Sequence, residues 1–292
     1  MHISEQLQLE VVVKDPAFER ILVPLDGSRS AERVLETVRV LCQRDGARAV
    51  LVRILEPQVF ERGPASALDS VQIARLYLRQ IAAALEEQGI EVETVVQTGS
   101  SPESVLAVAI EEDVSLIAMS THGRMTPETV PFGKVAEQLL ASSVLPILAI
   151  PSGMRVDVPR HSFRTILIPT DGSRSSDRIF PVALEFALSF GVDLAVLLQV
   201  VPPAATGRAE AERHVKAEDH LGRLARLFEL NRIPTARFVI EEDDPVSAIL
   251  RVAQEQKADV IAIASPERSA LAVGALTEGV LRGSSAPVLL AP

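Results

Sequence analysis

Two glycines that bracket a polar loop, late in the first half of the chain, form the pattern with the clearest chemical potential. Gly123 closes a short polar run, and Gly133 stands where a helical pattern begins. Backbone N–H groups at such a helix start can hold phosphate oxygens, and glycine lets a ligand approach without a Cβ in its way. Arg124 and Lys134 would add positive charge. The alternative is a plain surface loop with two solvated cations.

A second polar turn follows the first predicted strand. Here Pro24 stiffens the exit of the strand, Asp26 offers a carboxylate acceptor and Gly27 permits a tight turn. The turn could help to bind a ligand. Asp26 and Ser28 could equally do no more than cap the following helix.

The elements that must position these loops are strands and helices in alternation. Short apolar runs alternate with longer patterns of helical period, which predicts βαβ units and a parallel sheet with helices on both faces. In the first half the predicted strands are 21–24, 49–55, 91–97, 116–120 and 147–150. Ligands of such sheets bind beyond the carboxyl ends of the strands. The turn at Asp26 and the loop between the glycines both begin there.

The chain is a tandem duplication. The segment 18–30 returns as 163–175, and the end of the first half, 142–151, is echoed by 284–292. Turn-forming residues lie between the copies. We therefore expect an N-terminal extension at 1–17, a first domain at 18–151, a linker at 152–162 and a second domain at 163–292.

Composition excludes several classes of function. The 292 residues carry a formal charge of −10 and only 3% aromatic side chains, so the chain is not expected to bind nucleic acid. A single cysteine, Cys42, cannot form an internal disulfide. The first residues lack the basic and apolar stretches of a secretory signal, and no apolar run approaches the ~20 residues that span a bilayer. We expect a cytoplasmic protein without a membrane partner.

These residues resemble the universal stress protein family in its tandem form, with each half similar to one family domain. The family's nucleotide loop follows the pattern G-x-x-G, nine residues, then G-S or G-T. Here the stretch from Ser120 to Gly123 is followed by nine residues and then by Gly133 and Lys134. The resemblance implies that each half is a Rossmann-like domain with an open five-stranded parallel sheet, and that the first half binds an adenine nucleotide, ATP.

The resemblance also carries over site residues by position. The implied binding set is Pro24, Leu25 and Asp26 at the adenosine end, Ile54 and Met119 in the base pocket, and Ser120, Gly123, Arg124, Gly133, Lys134 and Val135 around the phosphates. No metal ligand is implied. Mg²⁺ could still accompany ATP, because an ion held mainly through phosphates needs few protein ligands.

Two of these positions depart from the family pattern. Ser120 replaces the first glycine, and Lys134 replaces the hydroxyl residue that would bind phosphate. Lys134 either substitutes a charge for a hydrogen bond or fills the pocket. Pro127 and Pro131 stiffen the loop.

The second half keeps the Asp171 turn but has a changed loop. The distance from Ala264 to Gly274 is three residues shorter than the corresponding distance in the first half. No glycine occupies the Gly123 position, and Glu267 brings negative charge where phosphate would lie. We therefore expect that the second half does not bind ATP tightly.

The leading hypothesis from the resemblance is a regulatory, stress-response protein that binds ATP in its first half. Neither half shows a nucleophile paired with a base, so an enzyme is not favoured. His122 is the one loop histidine that could transfer a proton. The alternatives are a nucleotide-free module that binds an unidentified protein, and a slow ATPase. The segments 146–150 and 287–291 could pair within one chain as a pseudo-dimer. Two chains could then form a homodimer.

Overall fold

The structure is a computed structural model. It describes residues 18–43, 46–57, 64–123, 132–151, 162–203, 207–265 and 273–292. The predictions that concern the N-terminal extension, Arg124, Pro127, Pro131 and Glu267 lie outside these residues.

The described elements of the first half alternate as the sequence predicts. They are β1 (Arg20–Pro24), α1 (Arg29–Glu32), α2 (Val34–Cys42), β2 (Arg48–Leu55), α3 (Pro64–Glu86), β3 (Val92–Thr98), α4 (Ser101–Glu111), β4 (Leu116–Ser120), α5 (Lys134–Ser142) and β5 (Ile147–Ile150).

The second half repeats this order, with a single 3₁₀ turn at Ser176–Arg178 where the first half has α1. Its elements are β6 (Thr165–Thr170), α6 (Ile179–Phe190), β7 (Leu194–Val201), α7 (Gly207–Leu230), β8 (Thr235–Glu241), α8 (Pro245–Glu255), β9 (Val260–Ala264), α9 (Ala275–Gly283) and β10 (Val288–Ala291).

The ten strands of the described residues form one sheet, in the order β3-β2-β1-β4-β5-β10-β9-β6-β7-β8. Neighbouring strands within each half are parallel. At the centre β5 and β10 run antiparallel, with Leu148 opposite Leu289. The α/β class with two Rossmann-like halves is therefore confirmed, and the two terminal strands pair within the chain. The two five-stranded sheets are not separate, because each covers the inner edge of the other.

The two faces of the sheet carry separate apolar layers. Side chains from α1, α2, α3, α6 and α7 pack on one face, and those from α4, α5, α8 and α9 pack on the other. The central strands β5, β9 and β10 are apolar throughout, because a parallel sheet covered on both faces buries nearly every position of a strand. We call the second layer the α4–α9 layer.

The helix α4 has Ser100 as its N-cap and Pro102 as its second residue. A Ser-Pro pair at a helix start is typical of an N-cap serine with proline at the first helical position, so α4 begins one residue earlier than that pattern. Proline is tolerated there because the N–H groups of the first turn have no partner within the helix. The equivalent helix of the second half does begin at Pro245, and the side chain of Asp244 accepts a hydrogen bond from the backbone N–H of Val246.

Four phenylalanines join the two halves. Phe18, which precedes β1, stacks on Phe190 with ring centres 5.9 Å apart and meets Phe186 edge-on at 6.2 Å. Phe163, which precedes β6, also meets Phe186 edge-on, with ring centres 5.4 Å apart. Phe163 and Phe186 are fully buried. The first half thus contributes an aromatic ring to the core of the second.

An ion network fixes the amino end of β1. The Arg20 guanidinium donates to both carboxylate oxygens of Glu93, at 3.0 and 2.8 Å, and to Glu112 at 2.8 Å. The hydrogen bond from Arg20 is the main reason that the pKa of Glu93 lies below its ordinary value. A carboxylate of this kind stabilises the fold above its unfolded pKa, and the contribution is lost as the pH falls through the folded pKa.

We therefore predict that Arg20→Met lowers the free energy of unfolding at pH 7 by about 1–2 kcal/mol, the size of exposed charge-assisted hydrogen bonds. The difference from wild type should shrink as the pH falls below the ordinary pKa of a glutamate, about 4.3, and through the lowered pKa of folded Glu93. Urea unfolding at pH 7 and at a pH below the ordinary pKa of glutamate measures the difference in the free energy of unfolding. The matched control is Arg164→Met, because Arg164 forms an exposed ion pair with Asp193. An equal loss at both pH values would contradict the assignment to Glu93.

Among the described residues, no helix is both long and apolar enough to cross a membrane. The same residues contain no group of three or more histidine, cysteine, aspartate or glutamate side chains that could hold a metal ion.

Candidate functional site

The turn after β1 holds Asp26 in a defined position. The backbone N–H of Leu25 donates to the carbonyl of Val52 at 2.9 Å and extends the parallel pairing one residue past β1. The backbone N–H of Ser28 donates to Oδ1 of Asp26 at 2.8 Å, and Gly27 has a positive φ of 76°. Ser28 is also the N-cap of α1. The helix-capping function therefore belongs to Ser28, while Asp26 closes the turn.

The loop after β4 meets this turn at Gly123. A Cβ atom added to Gly123 would lie 2.5 Å from Oδ2 of Asp26, closer than real Cβ contacts allow. The loops that follow β1 and β4 are therefore in direct contact at the carboxyl edge of the sheet. This is the position that strand order predicts for a ligand site, because β1 and β4 are neighbours.

Backbone hydrogen bonds fix both ends of the glycine loop. The N–H of Thr121 donates to the carbonyl of Ile150 at 3.0 Å, and the N–H of Gly133 donates to the carbonyl of Thr121 at 2.8 Å. Gly133 is the N-cap of α5 in an extended conformation, with φ −71° and ψ 149°. No side-chain cap is found at this helix start in the described part of the chain. The start of α5 is thus fixed to Thr121, two residues before Gly123, and its first N–H groups suit an anionic ligand.

Three of the implied binding residues lie on one face of the sheet. Met119 is buried in the α4–α9 layer, and Ile54 and Val135 are half-buried and pack against the same layer. The structure thus brings the base-pocket residues Ile54 and Met119 to the face on which α5 begins. Pro24 and Leu25 belong to the strand end and turn that carry Asp26.

Ser120 and His122 occupy the strand end beside Gly123. The hydroxyl of Ser120 is buried and has no hydrogen-bond partner among the described residues. Nδ1 of His122 lies 3.1 Å from the hydroxyl of Thr121. Ser120 therefore keeps an unsatisfied hydroxyl at the position where the family pattern has glycine.

Lys134 is exposed at the first helical position of α5. Its charge acts on Glu103 of α4. A hydrogen bond with Ser100 is the main reason that the pKa of Glu103 lies below its ordinary value, and the charge of Lys134 contributes in the same direction. Lys134 is thus a cation at the mouth of the site, near α4. Arg124, the other implied cation, lies outside the described residues.

The equivalent turn of the second half is closed by its own side chains. Oδ1 of Asp171 accepts from the backbone N–H of Ser173 at 2.8 Å and from the hydroxyl of Ser176 at 2.6 Å. Burial opposes ionisation of Asp171, but these hydrogen bonds outweigh it and lower the pKa. The hydroxyl of Thr170 adds a bond to Asp177 at 2.9 Å. The aspartate corresponding to Asp26 is thus engaged by serines of its own turn.

Sequence reasoning missed a group of side chains behind the Asp26 turn. Arg53 of β2 donates to the carbonyl of Leu25, and Tyr77 of α3 donates to Glu32 of α1. The one available signal was that Tyr77 is the single tyrosine of the chain. Nothing in the spacing connects Tyr77 to Arg53 and Glu32, which lie 24 and 45 positions earlier in the chain.

The fold defines a class: a tandem Rossmann-like α/β protein. The chain belongs to the universal stress protein family, since the family model matches residues 17–151 and 162–292. Among curated relatives, universal stress protein MJ0577 of Methanocaldococcus jannaschii is 23% identical over 153 residues, which are 46% of this chain and 94% of the relative. Universal stress protein Sll1654 of Synechocystis is 28% identical over 136 residues, 46% of this chain and 86% of the relative.

Solved structures show the same tandem fold. A universal stress protein from Archaeoglobus fulgidus superposes with a TM-score of 0.73 at 21% identity and covers 94% of this chain and 98% of its own. A universal stress protein from Pseudomonas aeruginosa has a TM-score of 0.64 at 18% identity, with 94% of both chains covered. At these identities the likeness concerns the fold alone.

Proposed function

We propose that the first half binds an adenine nucleotide, ATP with Mg²⁺, as a regulatory signal, and that the second half is its structural partner. The contact between Gly123 and Asp26 carries this proposal. It joins the turn that offers a carboxylate with the loop that leads to the uncapped start of α5. A ligand with a polar sugar at one end and phosphates at the other fits such an edge.

The substitution at Lys134 decides how the phosphates would be held. The family's hydroxyl residue would donate a hydrogen bond, whereas Lys134 supplies a charge at the start of α5. Charge at this position attracts phosphate together with the helix dipole. Lys134 is exposed and its charge acts on Glu103, which favours charge compensation over a side chain that fills the pocket. This geometry supports charge compensation by Lys134.

A relative widens the choice of nucleotide to be tested. One universal stress protein has been solved in complex with cAMP; it is 22% identical to this chain, and the match covers 44% of this chain and 96% of the relative. Titration should therefore compare ATP with cAMP.

The internally bonded turn of the second half favours a second candidate function. A half whose aspartate is bonded to Ser173 and Ser176 would serve as a scaffold. If the first half also binds no nucleotide in solution, the chain is a protein-interaction module.

Calorimetric titration of the whole chain with ATP and Mg²⁺ tests the proposal. We expect one nucleotide per chain, strong weakening by Asp26→Ala and no effect of Asp171→Ala, which removes the equivalent carboxylate of the second half. An effect of Asp171→Ala on the stoichiometry would show that both halves bind. No binding at millimolar ATP would overturn the proposal in favour of the interaction module. Turnover of ATP that disappears in Asp26→Ala would make the protein an ATPase.

A further inference from the structure

Three side chains from three different elements meet behind the Asp26 turn. They are Glu32 of α1, Arg53 of β2 and Tyr77 of α3, and we call them the brace. Nη1 of Arg53 donates to the carbonyl of Leu25 at 3.4 Å, and the guanidinium lies 5.8 Å from the centre of the Tyr77 ring. The Tyr77 hydroxyl donates to Oε1 of Glu32 at 2.9 Å. Burial and this hydrogen bond raise the pKa of Tyr77, so the hydroxyl remains a donor.

The brace lies on the opposite side of the sheet from the base-pocket residues. Successive residues of a strand point to opposite faces. Ile54 packs against the α4–α9 layer, whereas Tyr77, over which Arg53 stacks, packs against the apolar layer of the other face. Arg53 therefore does not line the proposed base pocket. Any effect of Arg53 on a ligand must pass through the turn.

The brace holds the turn on both sides of Asp26. Arg53 contacts the carbonyl of Leu25, the residue immediately before Asp26. Glu32 belongs to α1, and the N-cap of that helix, Ser28, donates its N–H to Asp26. The chain is thus fixed before and after the carboxylate that contacts Gly123.

The second half supplies an internal comparison. Its Asp177 and His220 occupy the positions of Glu32 and Tyr77, and Nε2 of His220 lies 3.2 Å from Oδ1 of Asp177. The position of Arg53 is taken by Gln199, as the equivalent strand registers show. The Gln199 amide is buried next to Gly172, and its Oε1 has no hydrogen-bond partner among the described residues. The acid–ring pair is retained, and Nη2 of Arg223 lies 3.3 Å from Nδ1 of His220, but the strand position of Arg53 carries no guanidinium in the half whose turn closes on its own serines.

We propose that Arg53 is a positioning residue, which holds the Leu25–Asp26 turn against the Gly123 loop and thereby sets the nucleotide affinity of the first half. A planar guanidinium can stack on a ring and donate to a carbonyl at the same time, which a lysine ammonium does less well. The consequence for affinity rests on the proposed function. The effect on the turn does not.

The test compares three variants of the whole chain. Arg53→Gln introduces the residue of the second half, and Arg53→Lys keeps the charge without the planar fork. Arg48→Gln is the matched control, because Arg48 lies on the same strand and pairs with Glu91 and Glu93 at the other end. Amide hydrogen exchange at residues 25–28 of the ligand-free protein reports on the turn, and calorimetry with Mg²⁺ and ATP reports on affinity.

We expect exchange at Ser28 to rise about tenfold in Arg53→Gln and ATP affinity to fall about tenfold, as for loss of one charge-assisted hydrogen bond. Arg53→Lys should fall between this variant and wild type, and Arg48→Gln should match wild type in both measurements. Unchanged exchange at residues 25–28 in Arg53→Gln would overturn the proposal, whether or not affinity changes. Faster exchange in a protein whose wild type binds no nucleotide would support positioning by Arg53 and overturn the proposed function instead. Should Arg53→Gln fail to fold, the same comparison is made with Arg53→Lys, for which wild-type exchange overturns the proposal.

Discussion

Titration of the Gly123→Val variant with Mg²⁺ and ATP should show affinity reduced at least about 100-fold, equivalent to about 2.7 kcal/mol. A Cβ at this position would lie 2.5 Å from Oδ2 of Asp26. Because Oδ1 is held by the N–H of Ser28, the carboxylate cannot move aside without opening the turn. The added side chain must therefore separate the two loops at the proposed site.

The fold should tolerate this change, because Gly123 lies in a loop at the carboxyl edge of the sheet. Gly123→Ala, which adds the Cβ alone, should give part of the same loss. The matched control is Gly222→Ala on α7, whose Cβ would meet only the end of the Arg237 side chain at 3.0 Å. We expect wild-type affinity for that control. Wild-type affinity in Gly123→Val would contradict the assignment of the site to these two loops.

The second large effect concerns the junction of the halves. We expect Phe186→Ala to lower the free energy of unfolding by about 3–5 kcal/mol, the range for removal of a fully buried phenylalanine ring. Phe186 contacts Phe18, Phe163 and Phe190, so its loss leaves a cavity between residues of both halves. Such a loss is a large fraction of the stability of an ordinary domain.

Urea unfolding followed by circular dichroism measures this change. The control is Phe238→Ala on the edge strand β8, where the ring is half-buried and the expected loss is about 1–2 kcal/mol. Phe18→Ala tests the contribution of the first half to the same cluster and should approach the loss in Phe186→Ala. Equal losses for Phe186→Ala and Phe238→Ala would show that the aromatic cluster does not hold the halves together.

The strands could be read from the sequence because each is a short apolar run with both faces buried. For β4 and β5 the predicted bounds, 116–120 and 147–150, match the structure. The other three strands of the first half begin one residue away from their predicted starts. The resemblance to the family also predicted that 146–150 and 287–291 could pair, and β5 and β10 do pair.

Only part of the candidate site could be predicted from the sequence. Asp26 and Gly123 belong to recognisable local motifs, so the sequence predicted that both lie at the carboxyl edge of the sheet, where the structure has them. The brace could not be predicted from the sequence, because Glu32, Arg53 and Tyr77 belong to no recognisable motif and meet only through the packing of α1, β2 and α3. The closed turn of the second half depends in the same way on rotamers of Ser173 and Ser176, which no spacing specifies.

The antiparallel pairing of β5 with β10 makes the association of the halves a property of one molecule. Two separate domains that met through these edges would come apart on dilution, whereas halves tethered in one chain meet at a fixed effective concentration. Each molecule also contains one copy of each half, so a mutation in one half leaves the other unchanged, whereas a mutation in a homodimer changes both subunits. Such a covalent pair can lose a ligand site on one side and keep its partner, which is the arrangement proposed for this protein.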